Sequence, residues 1–116
     1  MKIFAIILVV AFYACSTKEP KYIQGYIYNE YRKPVKGIKI EDPNNNILFS
    51  ISDDKGYFRI NQMIKGTYLY VIKDEKKIDS IYVVRTHPER GMSYSFVEGK
   101  NDTVFVNMKK QKIISQ

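Results

Sequence analysis

Tyr22-Ile23-Gln24-Gly25-Tyr26-Ile27-Tyr28 is the stretch that decides the fold. In an extended chain successive side chains point to opposite faces, so Ile23, Gly25 and Ile27 share one side. Tyr22, Gln24, Tyr26 and Tyr28 share the other. A period of two with aliphatic residues on one face predicts a β-strand with that face buried. Tyrosine suits the second face, because its ring tolerates half-burial while its hydroxyl reaches water.

Downstream, the same pattern recurs between clusters of turn residues. Asn29-Glu30-Tyr31-Arg32-Lys33-Pro34 breaks the first run, and a second strand is expected near residues 37–41. Asp42-Pro43-Asn44-Asn45-Asn46 is dense in residues that form turns. A third strand over residues 47–52 then meets a fourth at 57–60 through the tight turn Asp53-Asp54-Lys55-Gly56. Further strands are expected at 67–73, 77–85 and 103–108, while 86–100 and the polar tail 111–116 read as irregular. Seven strands at this spacing, with no helical period after the N-terminal apolar run, predict an all-β, seven-stranded antiparallel β-sandwich. One domain over residues 21–110 would hold it.

Upstream, the composition changes. Lys2 precedes an unbroken apolar run from Ile3 to Tyr13, closed by Ala14 and Cys15. Crossing a bilayer takes about 20 apolar residues, so this run is short for a permanent span. A basic start, a short apolar core and a small residue at the end mark an export signal. The lone cysteine directly after Ala14 resembles the lipid-attachment position of a bacterial lipoprotein signal, although Phe12 and Tyr13 depart from the usual pattern. The expected organisation is therefore a signal helix over 1–14, acylation at Cys15, and a tether over 15–20. An ordinary secretory signal and an uncleaved anchor helix are the alternatives. One cysteine cannot make an internal disulfide, and an unpaired thiol is a liability in an oxidising compartment.

Four spaced elements resemble the carboxypeptidase-regulatory-like domain, a transthyretin-like sandwich. They are Ile23-Gln24-Gly25-Tyr26-Ile27, Pro34-Val35-Lys36-Gly37-Ile38, Asp53-Asp54-Lys55-Gly56-Tyr57-Phe58 and Gly66-Thr67-Tyr68. The resemblance implies an accessory module, since such domains attend peptidases, outer-membrane receptors or stand alone as short lipoproteins. All four elements are markers of fold and carry no chemistry.

Catalytic residues are sparse. His87 is the one histidine, and a zinc site needs three or four His, Cys or carboxylate ligands. Transthyretin-like hydroxyisourate hydrolases use several histidines and a Tyr-Arg-Gly-Ser ending, and this chain has neither. Asp42, Asn44 and Asn46 resemble the start of a calcium loop, but Ile47 and Asp53 stand where Gly and Glu are required. The expectation is a non-enzymatic protein without cofactor or metal.

The formal charge of +7 suits anionic partners such as phospholipid or acidic glycan. Scattered lysines also protect sheet edges, and with export they argue against nucleic acid as a partner. The leading reading is a lipid-anchored envelope module that binds another envelope protein or a glycan, most naturally at a Gram-negative outer membrane. A regulatory subunit for a peptidase encoded nearby, or an inhibitor or immunity-type lipoprotein, is the alternative. Candidate contact residues are Tyr22, Tyr26 and Tyr28 on the outward face, and Arg85, His87 and Arg90 in the irregular stretch. Asp79-Ser80-Ile81 and Asp102-Thr103-Val104 resemble an O-glycosylation sequon, which makes Ser80 and Thr103 candidate modification sites.

Overall fold

The alternation at Ile23, Gly25 and Ile27 forms strand β1 (Ile23–Asn29), with these three residues buried and their neighbours half-buried. The structure, a computed structural model, describes residues 19–116. The expectations for the signal at 1–14, for Cys15 and for most of the tether fall outside the described residues. The remaining strands are β2 (Lys39–Asp42), β3 (Asn45–Ile51), β4 (Tyr57–Ile60), β5 (Tyr68–Lys73) and β6 (Lys76–Tyr82). They continue with β7 (Val84–His87), β8 (Gly91–Tyr94), β9 (Thr103–Asn107) and β10 (Lys112–Ser115). No helix occurs among the described residues.

Two four-stranded sheets and a hairpin result. The first sheet runs β10-β9-β1-β4, the second runs β3-β2-β5-β6, and β7 pairs with β8 alone. The inward sides of both sheets meet in one apolar cluster. Ile23, Ile27, Phe58 and Val104 come from the first sheet, and Ile40, Leu69, Val71 and Ile81 from the second. Full burial of each such side chain stabilises by about 1.5–3 kcal/mol, so this cluster is the main favourable term.

Gly25 sits where only glycine fits. A Cβ there would come within 2.9 Å of the Phe58 ring and closer still to Phe96. Those two rings stack over the strand at 6.1 Å between centroids. Gly56 closes the β3–β4 turn at φ 77°, a left-handed conformation that costs glycine little.

Side chains close both seams between the sheets. Ser50 Oγ accepts the Arg59 N–H at 3.0 Å between β3 and β4, and Asp79 Oδ2 accepts the Ile113 N–H at 2.7 Å between β6 and β10. The buried Ser52 hydroxyl ties down the β1–β2 connection. It accepts the Ile38 N–H at 2.9 Å and donates to the Val35 carbonyl at 2.8 Å.

The structure departs from the expectation in three ways. Ten strands replace seven, and β1 pairs in parallel with β9, with Tyr26 opposite Thr103, so the first sheet is mixed rather than purely antiparallel. The run expected over 77–85 stops at Tyr82, because Val83 changes partners. Its N–H donates to the Thr67 carbonyl, while its own carbonyl accepts the Ser95 N–H, and the chain leaves β5 to begin the β7–β8 hairpin. The 111–116 segment, read as a polar tail, contains all of β10. Asn107 Oδ1 accepts the N–H groups of Lys109 and Lys110, and this turn folds the chain back along β9, with Ile113 packed against the core.

Candidate functional site

The hairpin expected to be irregular carries a polar concavity. Arg85 lies opposite Ser93, and Thr86 opposite Met92, so alternation gives β7–β8 two unlike faces. On one, Arg85, His87, Ser93 and Ser95 line a cavity of about 270 Å³, with Phe96 and Asp102 among its other walls. His87 Nε2 lies 3.1 Å from Ser93 Oγ, in a hydrogen bond whose direction follows the imidazole tautomer. On the other face, Val84, Met92 and Tyr94 meet Pro20, Met63 and Ile64 around a space of about 250 Å³. The apolar face thus turns toward the segment that leads back to Cys15.

Charge is uneven at this polar face. Among the described residues the one ion pair is Lys39–Glu41 at 3.1 Å, so the Arg85 guanidinium has no carboxylate partner there. It lies 5.5 Å from the centre of the Tyr82 ring, a cation–π contact. The Asp102 carboxylate is occupied internally, accepting the Phe96 N–H at 2.8 Å. An unpaired guanidinium beside an imidazole and two serine hydroxyls can hold a carboxylate, a sulfate or a hydroxyl-rich ligand.

The structure brings Arg85 and His87 together and leaves Arg90 out. Arg90 is exposed in the Pro88–Arg90 turn and takes no part in the cavity wall. Ser93, Ser95 and Asp102 were missed in the sequence. Ser93 and Ser95 alternate with Met92 and Tyr94, a period-two signal too short to stand out beside Gly91.

Tyr26 and Tyr28 point outward from β1, with Tyr22 just before the strand, but partners cover all three. Arg59 lies 3.8 Å from the centre of the Tyr22 ring, Tyr26 meets Tyr57 at 5.4 Å, and Tyr28 meets Phe105 edge-on at 6.1 Å. Tyr57 donates its hydroxyl hydrogen to Gln24 Oε1 at 3.0 Å. All three tyrosines are half-buried, and the row packs sideways into the sheet surface.

Ser80 and Thr103 are half-buried within β6 and β9, opposite Tyr70 and Tyr26. Both neighbouring acids have structural work, Asp79 at the β6–β10 seam and Asp102 at Phe96. Asp42 ends β2 and Asn45 and Asn46 open β3, joined by the Pro43-Asn44 turn, in which buried Asp42 accepts the Asn44 N–H at 3.0 Å. Among the described residues no three His, Cys, Asp or Glu side chains stand together in a metal-binding group. Comparisons with family models, with curated proteins and with solved structures found no match.

Proposed function

We propose that this chain is a non-enzymatic accessory module of the cell envelope, lipid-anchored through Cys15 at a Gram-negative outer membrane. Its two four-stranded sheets are read as the layers of a transthyretin-like β-sandwich, of the carboxypeptidase-regulatory-like kind. That reading rests on the four quoted motifs, which fall in β1, in the β1–β2 connection, in the β3–β4 hairpin and at the start of β5. The module binds another envelope protein or a glycan through the polar face of the β7–β8 hairpin. The observation that carries this is the unpaired Arg85 guanidinium beside the His87–Ser93 pair, at the mouth of a polar cavity.

The test is a membrane pull-down of the full chain from a Gram-negative host, with Cys15→Ala as the control. The intact chain should sediment with outer membranes and retain one envelope component after crosslinking. Release of the Cys15→Ala variant into the soluble fraction would support the anchor. A variant that stays in the membrane would rule the anchor out.

A further inference from the structure

The outer face of the second sheet is unlike the rest of the surface. Seven large hydrophobic side chains are exposed among the described residues, and Ile47, Phe49, Ile51 and Tyr82 all stand on this one face. Ile47, Phe49 and Ile51 form a line on β3 at every second residue, 77%, 46% and 56% exposed. Register places Lys39 between Ile51 and Ile72, and Glu41 between Phe49 and Tyr70, so the apolar row continues across β5 as Ile72, Tyr70 and Tyr68. Rings tile on both outer faces, but on the first sheet Tyr26, Tyr28, Tyr57 and Phe105 are all half-buried, whereas here Tyr68 and Tyr70 are half-buried and Phe49 and Tyr82 stay exposed.

Cations lie along the same face. Lys39 sits 4.6 Å from the centre of the Phe49 ring, Lys77 4.3 Å from that of Tyr70, and Arg85 5.5 Å from that of Tyr82. The acid within it, Glu41, is already bound to Lys39. None of the cavities described above takes a wall residue from Ile47, Phe49, Ile51, Tyr68 or Tyr70. Protein partners usually anchor side chains in pockets. A broad pocketless face of isoleucines, tyrosines and lysines, with Ile47, Phe49, Ile51 and Tyr82 exposed, instead has the chemistry of the bilayer interface. There aliphatic groups enter the acyl boundary, tyrosines sit at headgroup level and lysines meet anionic phosphates.

We infer that the outer face of the β3-β2-β5-β6 sheet docks onto an anionic phospholipid surface, with Ile47, Phe49 and Ile51 inserted and Lys77 on the headgroups. This deepens the proposed membrane location but does not need the acyl chain, because the face supplies its own affinity. It would lay the domain flat on the bilayer.

The chain contains no tryptophan, so a Phe49→Trp variant of the full chain carries a single reporter. With vesicles containing phosphatidylglycerol, its emission should shift to the blue and be quenched by brominated acyl chains. Phosphatidylcholine vesicles should give a smaller shift. A Tyr28→Trp reporter on the other sheet, half-buried against Phe105, should keep its emission unchanged on the same vesicles. Ile47→Asp with Ile51→Asp, added to the Phe49→Trp chain, should weaken partitioning by roughly tenfold or more, as the loss of buried aliphatic surface requires. Circular dichroism confirms that each variant is folded. Aqueous emission from the Phe49→Trp reporter on a chain that floats with the vesicles would overturn the docking face and leave the anchor standing. No flotation and no shift would overturn both. A shift seen only with protein-containing envelope membranes would assign the face to a protein and overturn the lipid assignment.

Discussion

Asp102 accepts the backbone N–H of Phe96 at 2.8 Å, and Phe96 is a buried side chain held at a φ of 58°. Left-handed backbone is unfavourable for a bulky residue, and it persists only where the surroundings over-determine it. Here the Phe96 carbonyl also accepts the Gln24 N–H at 3.0 Å, so both peptide groups of the residue are tied down. The ring can then stack on Phe58 above Gly25. Asp102 thereby links the wall of the polar cavity to the core.

Asp102→Ala should destabilise the fold by about 2 kcal/mol, the scale of a lost charge-assisted hydrogen bond to a buried N–H. Asp102→Asn, which keeps an acceptor, should recover part of the loss. Urea unfolding of the two variants measures the difference, and equal stability of Asp102→Ala and the parent would contradict the role.

Gly25→Ala should cost about 1–3 kcal/mol, because the new methyl group overpacks the Phe58 and Phe96 rings. Pairing it with Phe96→Leu should restore part of the stability. Thermal unfolding of the single and double variants checks this.

Asp79→Ala should open the β6–β10 seam. Amide exchange at Ile113 should speed up by more than tenfold, while that at Val71 and Leu69 stays slow, since a lost bond of this kind is worth about 1.5 kcal/mol or more. Hydrogen exchange read by residue decides it.

Gly56→Ala should be destabilising by about 1 kcal/mol or more, since φ 77° penalises any Cβ and the new methyl would strike the Ile27 carbonyl. A midpoint of unfolding equal to the parent's would contradict the assignment of this turn.

Much of the fold was legible because it is written in local pattern. The alternation in β1, the turn at Asp53 to Gly56 and the β-branched run of β6 each announce themselves within ten residues. The missed elements lack that signal. β7 and β8 mix Arg85, Thr86 and His87 with Gly91 and Ser93, and their pairing depends on the exchange of partners at Val83. β10 has one residue, Ile113, packed against the core; a local turn pairs it with β9, and its tie to the second sheet is a contact with Asp79, far away in sequence. The same distance effect hid the site. Arg85 and His87 could be named from the sequence, but Ser95 reaches the same cavity through the β7–β8 pairing and Asp102 only through the return of the chain to β9. Alternation shows which way Tyr26 and Tyr28 point, yet Tyr57, Arg59 and Phe105, which cover the tyrosines, lie on other strands.

The two resemblances to an O-glycosylation sequon show how a short motif acquires a second reading. Asp79 and Asp102 each accept a backbone N–H that the fold depends on, which explains an acid at both positions without any sugar. Mass spectrometry of the protein from its native envelope distinguishes the two readings at Ser80 and Thr103.

The most direct measurement of the proposed function is crosslinked capture from native membranes by the intact chain and by an Arg85→Ala, His87→Ala variant. Both chains should melt at the same temperature, because neither side chain supports the core. One envelope component should be held by the intact chain and lost by the variant. Capture of the same component by both would contradict the hairpin as the binding site.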